Sequence, residues 1–171
     1  MQAVCIGPAT YVDPHDGHRK SKYLNEEAVV DALTQARCDA VWVGWGFVSE
    51  RASFARRCED AGIVFVGPTS ETIRMLGDKI TAKRLAESAG VPVVPWGGGP
   101  VDDPEEAAEQ AAVLGYPVVI KASAGGGGRG IRFVASPEEL PGALASARNE
   151  AELAFGDPAV FVEQYVEAAR H

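Results

Sequence analysis

Cysteine is scarce in this 171-residue sequence, which also lacks long apolar runs and an excess of positive charge. The three cysteines, Cys5, Cys38 and Cys58, form neither a Cys-x-x-Cys pair nor a metal-binding spacing, so we interpret them as reduced thiols in or near the core. No apolar run approaches the roughly 18 residues of a membrane span, and no signal-peptide pattern opens the chain. We therefore predict a cytoplasmic protein that does not associate with membranes.

The charge balance also limits the possible partners. The chain has 16 Lys and Arg against 24 Asp and Glu, a net charge of −8. This disfavours nucleic-acid binding, because a phosphate backbone attracts a basic surface. The net charge does not exclude binding of a small anionic ligand, since a local basic cluster can override the overall negative charge. The 46% hydrophobic content is typical of a globular protein, and the length suits one ordinary domain or two small ones.

A glycine-rich stretch at residues 116–130 is the most informative feature of the sequence. A short apolar strand ends in Lys121, and four consecutive glycines follow at residues 125–128. Such a loop lets backbone N–H groups approach an oxyanion, because no Cβ atoms are in the way. The lysine adds a compact positive charge, and Arg129 and Arg132 lie in and just beyond the loop. The pattern predicts a phosphate-binding loop for a nucleoside triphosphate.

Two common phosphate-binding motifs do not explain this loop. Gly125-x-Gly127-x-x-Gly130 fits the dinucleotide fingerprint, but that fingerprint requires a helix to begin at the loop. Residues 131–134 instead alternate in polarity and predict a strand. No Gly-Lys-Ser/Thr triplet is present, which excludes a P-loop. We therefore predict that the loop is a flap between two paired strands. The alternative is a flexible hairpin that binds no ligand, although hairpins rarely contain four glycines in a row.

Strands and helices alternate before the flap. The strands are four apolar residues long and end at glycine, a pattern typical of a parallel sheet between helices. We predict strands at residues 3–6, 40–43 and 63–66, and helices at about 25–37, 50–61, 70–76 and 79–89. A segment rich in proline and glycine at 91–100 marks a boundary, so we divide the chain into residues 1–92 and 93–171.

The second part is predicted to be α+β. A helix begins at Asp103-Pro104 and ends near Leu114, the flap hairpin follows, a helix covers about 137–155, and a strand begins at 159. Three strands in the first part would leave apolar sheet edges uncovered, and the chain ends just after a strand. We therefore expect the sequence to be a piece of a longer protein.

With these motifs identified, the sequence resembles biotin carboxylase, the ATP-grasp component of biotin-dependent acyl-CoA carboxylases. The resemblance implies an α/β fold: an incomplete parallel Rossmann-like (pre-ATP-grasp) sheet, then the small α+β lid subdomain of an ATP-grasp fold and the start of a hinge to a missing C-terminal lobe. The matching segments run in family order and are residues 3–7, 21–25, 44–50, 65–68, 76–79, 89–95, 116–132, 162–167 and 170–171.

The resemblance implies a reaction and a phosphate site. This family makes carboxyphosphate from bicarbonate and ATP and then transfers the carboxyl group to biotin carried on another domain. Lys79 and Lys121 correspond to residues that neutralise the ATP phosphates. Gly127 and Gly128 correspond to flap residues that donate backbone N–H groups to them.

It also implies an adenine site. Glu163 corresponds to the hinge residue that accepts a hydrogen bond from the adenine amino group. The backbone of Gln164, Tyr165 and Val166 lines the adenine slot, and His171 corresponds to a histidine that contacts the nucleotide. Gln164 stands where the family usually has lysine, which weakens a side-chain role but not a backbone one.

The implied cofactors and partners extend beyond this sequence. They are ATP with Mg²⁺, bicarbonate, a biotin carrier domain and a carboxyltransferase. The family's metal-binding acidic residues belong to the missing lobe, so we assign no metal ligand and no catalytic residue here. We expect the chain alone not to catalyse carboxylation, and biotin-dependent ATP hydrolysis by the purified chain would contradict this.

Two other functions stay open: a carbamoyl-phosphate synthetase-type ligase, which shares the flap, and a non-catalytic nucleotide-binding relic. The usual His-Pro-Gly-Tyr-Gly of the family appears here as Trp42-Val-Gly-Trp-Gly46. We interpret Trp42 and Trp45 as packing residues, Lys83 as part of a solvated helix face, and the cluster of His15, Asp16 and His18 as solvated surface rather than a metal site.

Overall fold

The computed structural model describes residues 3–14, 17–46 and 48–169. The chain forms two compact units, Met1–Met75 and Leu76–His171. The division predicted at residues 92 and 93 lies within the second unit and stays a prediction about domain organisation. No helix in the described part of the chain is both long and apolar enough to cross a membrane.

The first unit begins with a short antiparallel hairpin that the sequence pattern did not predict. Strand β1 (Thr10–Val12) pairs with β2 (Arg19–Ser21). The strand predicted at residues 3–6 is wrong, since these residues form no strand. An apolar run becomes a strand only where a neighbour supplies hydrogen-bond partners, and no described strand pairs with this segment.

A parallel strand pair and helices form the rest of the first unit. The pair is β3 (Ala40–Val41) and β4 (Val64–Phe65), each shorter than predicted. Its core contains buried Phe54 and Cys58, with apolar side chains from both strands and the helices. The helices are α1 (Glu26–Gln35), α2 (Ala52–Asp60) and α3 (Ser70–Gly77), and the division between the two units lies within α3.

Two of the sequence-based assignments in this unit have opposite outcomes. The helix predicted to begin at about residue 25 is confirmed, and Asn25 caps it, because its side chain accepts a hydrogen bond from the Ala28 N–H at 2.9 Å. The packing role expected of the two tryptophans is wrong, because Trp42 is 77% and Trp45 is 92% exposed. Both follow the end of β3, beyond the part of the strand that the core covers.

The second unit is an antiparallel sheet with three helices and agrees closely with the predicted α+β pattern. Asp78 and Asp103 cap two of the helices. The sheet has the order β6-β5-β7, and a short 3₁₀ turn precedes the last helix. The elements are α4 (Lys79–Ser88), α5 (Pro104–Leu114), β5 (Val118–Ala122), β6 (Ile131–Val134), α6 (Leu140–Phe155) and β7 (Val160–Gln164).

The core of the second unit lies on one face of this sheet. Val118 and Ile120 of β5 and Val160 and Val162 of β7 are buried against α5 and α6. Because side chains alternate along a strand, the residues between them face the other side. That second face carries Lys121 and Glu163, so the fold itself separates the apolar core from the candidate site.

Candidate functional site

The candidate site is built on the strand face opposite the main core. Strands β5 and β7 pair with Val119 opposite Glu163 and Lys121 opposite Phe161. Lys121 and Glu163 are therefore diagonal neighbours, close enough for long side chains to meet. Phe161 is buried there with Ile80 and Trp96, so part of this face is covered by α4 and the segment around Trp96.

A buried carboxylate with two lysines lies at the centre of the site. The side chain of Glu163 is 8% exposed; its Oε1 accepts a hydrogen bond from the Lys121 ammonium, and its Oε2 lies 2.8 Å from Lys83 Nζ. The interpretation of Lys83 as part of a solvated helix face is wrong, because its side chain is only 14% exposed. The sequence spacing could have indicated a site role for Lys83, since it follows Lys79 by four residues and shares its helix face.

The first residues of the glycine loop are held by the start of α4. Lys79 Nζ donates to the carbonyl oxygens of Ala124 at 3.2 Å and Gly125 at 2.6 Å, and the Lys79 N–H donates to Ser123 O at 3.1 Å. The Ser123 hydroxyl donates to the Asp78 carboxylate. Asp78 and Lys79 therefore fix the position of the loop, and Lys79 also places a positive charge beside it.

Burial lowers the pKa of Lys79, and the positive charge of nearby Lys121 lowers it further, while Asp78 opposes the change. The two lysines predicted to meet phosphates are thus electrostatically coupled. An anion between them would relieve their repulsion. The structure brings both into one region, as the sequence-based assignment requires.

The middle of the loop presents backbone donors. Gly127 and Gly128 are exposed and have φ angles of +72° and +78°, which L-residues rarely adopt. Their N–H groups donate to no other described residue. Gly125 has the same φ of +72°, and a Cβ there would also lie 2.1 Å from the Phe155 ring. Free N–H groups on a glycine turn suit an oxyanion.

The far end of the loop is held by Glu150, which the sequence analysis did not single out. Its Oε2 accepts hydrogen bonds from the Gly130 N–H at 3.0 Å and from Arg132 Nη1 at 2.8 Å. The Gly130 N–H, with help from Arg132, lowers the pKa of Glu150. Glu150 lies on α6, and no local sequence pattern links it to a loop twenty residues earlier in the chain.

This contact predicts an acid-sensitive loop. Because the folded-state pKa of Glu150 is below its ordinary value, the contact contributes stability that is fully present above about pH 4.3. That contribution is lost as the pH falls through the lowered folded-state pKa. We expect the NMR shift of the Gly130 amide proton to titrate with a midpoint below about pH 4.3.

The control for this titration is an exposed glutamate on the same helix, Glu152. Glu150→Gln should abolish the titration of the Gly130 amide, whereas Glu152→Gln should leave it unchanged. An unchanged titration in Glu150→Gln would show that another group holds the end of the loop.

The predicted adenine slot follows directly after β7. The N–H of Gln164 donates to Pro95 O at 2.9 Å, and that of Tyr165 to Pro117 O at 3.2 Å. Tyr165 and Val166 are partly exposed, and Tyr165 makes an edge-to-face contact with Phe133 at 4.9 Å. Ile131 and Phe133, which the sequence analysis did not assign, place exposed apolar surface on the same strand face.

Two of the sequence-based assignments involve residues outside the described ranges. His171 lies outside the described residues, as do His15 and Asp16 of the acidic and histidine cluster. Within residues 3–14, 17–46 and 48–169, no group of three His, Cys, Asp or Glu side chains could hold a metal ion.

A glycine flap between antiparallel strands, with lysines at its base and a buried glutamate on the neighbouring strand, defines an ATP-grasp nucleotide-binding domain. Comparison with known proteins agrees. Residues 78–171 match the family described as carbamoyl-phosphate synthase L chain, ATP binding domain, and residues 2–73 match the biotin carboxylase N-terminal domain. The chain belongs to the biotin carboxylase family, and the two matches correspond to an N-terminal domain and an ATP-binding domain.

Individual relatives support the same assignment. Biotin carboxylase of Nostoc is 45% identical over 171 residues, which is 99% of this chain and 36% of the relative. The structure of a Campylobacter jejuni biotin carboxylase complex with β,γ-ATP is 42% identical, with a TM-score of 0.81 over 85% of this chain and 33% of that one.

A further solved structure, the biotin carboxylase domain of Hydrogenobacter thermophilus 2-oxoglutarate carboxylase with MgADP, ADP and bicarbonate, is 46% identical. It has a TM-score of 0.81 over 86% of this chain and 32% of that one. The chain thus spans about a third of these relatives' length. The alternative of a carbamoyl-phosphate synthetase-type ligase is not supported, since these relatives are carboxylases.

Proposed function

We propose that this chain is the ATP-binding part of a biotin carboxylase, a ligase that uses ATP, bicarbonate and carrier-bound biotin to form carboxybiotin, ADP and phosphate. The observation that carries the proposal is a glycine flap whose Gly127 and Gly128 N–H groups donate to no described residue, together with Lys79, which contacts the start of the loop, and Lys121, which precedes it. Phosphoryl transfer depends mainly on positioning and charge neutralisation, and these are the properties that such an arrangement supplies.

Each residue has a role in this proposal. Lys79 and Lys121 neutralise the phosphates, while the N–H groups of Gly127 and Gly128 donate to phosphate oxygens as the flap closes. Closure also excludes water, so that the phosphoryl group reaches bicarbonate instead. The carboxyphosphate formed in this way then supplies the carboxyl group to biotin.

The adenine end is proposed on similar grounds. Glu163 accepts from the adenine amino group, and the backbone of Gln164, Tyr165 and Val166 borders the base. Exposed apolar surface at Ile131 supports this placement, because a flat base gains by covering apolar side chains. The C. jejuni relative, whose structure is a complex with β,γ-ATP, is consistent with such a site.

The wider assignment is part of the same proposal. We place the chain in an acyl-CoA carboxylase of fatty acid metabolism, acting with a biotin carrier domain and a carboxyltransferase. Mg²⁺ bound with ATP belongs to it too, and the H. thermophilus relative was solved with MgADP and bicarbonate. A cytoplasmic location is supported by the three free cysteines, which suit a reducing compartment.

Calorimetric titration with Mg·ATP tests the nucleotide site. We expect the chain to bind ATP weakly and Lys121→Met to reduce the affinity about tenfold or more, the effect of losing one charged hydrogen bond. Lys22→Met, in the first unit, is the control and should leave the affinity for ATP unchanged. No binding of ATP by the wild-type chain would contradict the proposal, and tight autonomous binding would favour the non-catalytic nucleotide-binding module instead.

A further inference from the structure

Two lysines share one buried carboxylate in the second unit. Each oxygen of Glu163 has its own ammonium partner, Lys121 at Oε1 and Lys83 at Oε2. The cluster therefore has one positive charge more than it needs to balance the glutamate. One of the two lysines can leave without exposing the carboxylate to an unpaired, low-dielectric environment.

The two lysines are held to different extents. Lys83 also donates to Val94 O at 2.9 Å, and its ammonium lies 5.4 Å from the centre of the Trp96 ring. Its side chain is 14% exposed, against 31% for Lys121. Among the described residues, the ammonium of Lys121 donates only to Glu163. Lys83 is thus the fixed partner and Lys121 the exchangeable one.

Lys121 is placed where it could exchange its contact with Glu163 for a contact with an anion under the flap. Lys121 lies next to the end of β5, where the flap begins, and its charge already acts on that of Lys79. An anion bound under the flap would attract both lysines. For Lys121 to reach such an anion it must give up Glu163, and the cost of doing so depends on what remains beside that carboxylate.

We infer that Lys83 is a positioning residue: it is the permanent counter-ion of Glu163, and it releases Lys121 to bind an anion beneath the glycine flap. Without Lys83, Lys121 would be the sole counter-charge of a buried carboxylate and would stay there. The inference rests on the proposed function only in taking that anion to be a nucleotide phosphate.

A ligand-free experiment tests the release of Lys121 directly. The folded chain is treated briefly with an amine-reactive reagent, and the labelling rate of each lysine is measured by mass spectrometry, with Lys22 as the internal reference. Lys83→Met should lower the labelling rate of Lys121 about tenfold, because one charged partner then holds it more strongly. Lys83→Arg should keep the rate within about twofold, since the charge is retained.

The second arm removes the charge for which the lysines compete. In a Glu163→Gln background, Lys83→Met should no longer slow the labelling of Lys121, because no buried carboxylate retains it. A structural role for Lys83 would instead give the same change in both backgrounds. Equal labelling of Lys121 in the wild type and Lys83→Met, or an effect that survives Glu163→Gln, would overturn the inference.

Nucleotide titration adds an independent readout. The ratio of the AMP Kd to the ATP Kd measures the affinity that the additional phosphates contribute. Lys83→Met should lower this ratio about tenfold while leaving AMP binding nearly unchanged, and should have no such effect with Glu163→Gln. An equal loss of AMP and ATP binding would contradict the inference. Absence of ATP binding by the wild type would count against the proposed function alone, since the labelling result still decides the role of Lys83.

Discussion

Glu163→Ala is expected to destabilise the second unit by about 3–5 kcal/mol, the usual cost of removing one partner from a buried ion pair. Lys83, with a side chain 14% exposed, would lose its counter-charge and could not reach water without leaving Val94 and Trp96. Lys121 is more exposed and would suffer less. Urea unfolding, followed by the fluorescence of the buried Trp96, measures the change.

Two variants show whether the charge is responsible. Glu167→Ala removes an exposed glutamate three residues beyond β7 and should change the free energy of unfolding by less than about 0.5 kcal/mol. Glu163→Gln keeps the shape and loses the charge, so it should fall between the two. A cost for Glu163→Ala no greater than that for Glu167→Ala would mean that the lysines do not depend on this carboxylate.

Gly130→Ala is expected to cost about 2–5 kcal/mol and to detach the end of the flap. The residue has a φ of +68°, which costs an L-residue roughly 1–2 kcal/mol. A Cβ there would also lie 2.7 Å from the Ala122 Cβ, and such overpacking costs about 1–3 kcal/mol. Any shift of the backbone would lengthen the bond from the Gly130 N–H to Glu150.

The same loop supplies the matched control. A Cβ on Gly126 would meet no atom within 4 Å, and its φ is outside the positive range. Gly126→Ala should therefore leave the free energy of unfolding unchanged or raise it by up to about 1 kcal/mol, because alanine restricts the unfolded chain. Similar destabilisation by both substitutions would show that the loop needs glycine for flexibility in general rather than for one close approach.

Much of the second unit could be predicted because its signals are local. Asp103 followed by Pro104 starts α5, alternating residues mark β6, and Gly156 ends α6 with a left-handed φ of 72°. The strands of the first unit were harder to predict from the sequence. Its parallel strands are two residues long, and they pair Ala40 with Val64, 24 residues further along the chain. Neither their length nor the absence of a strand at residues 3–6 could therefore be derived from apolar runs.

The sequence by itself determined the flap, its four glycines, the lysine that precedes it and the family to which these belong, because each is a contiguous pattern with a local physical cause. Only the tertiary structure decided which groups hold the flap and its lysines. Lys83 meets Glu163 across eighty residues, and Glu150 meets Gly130 across twenty. Such contacts depend on how strands and helices pack, and no local spacing encodes the distance between charges that the fold brings together.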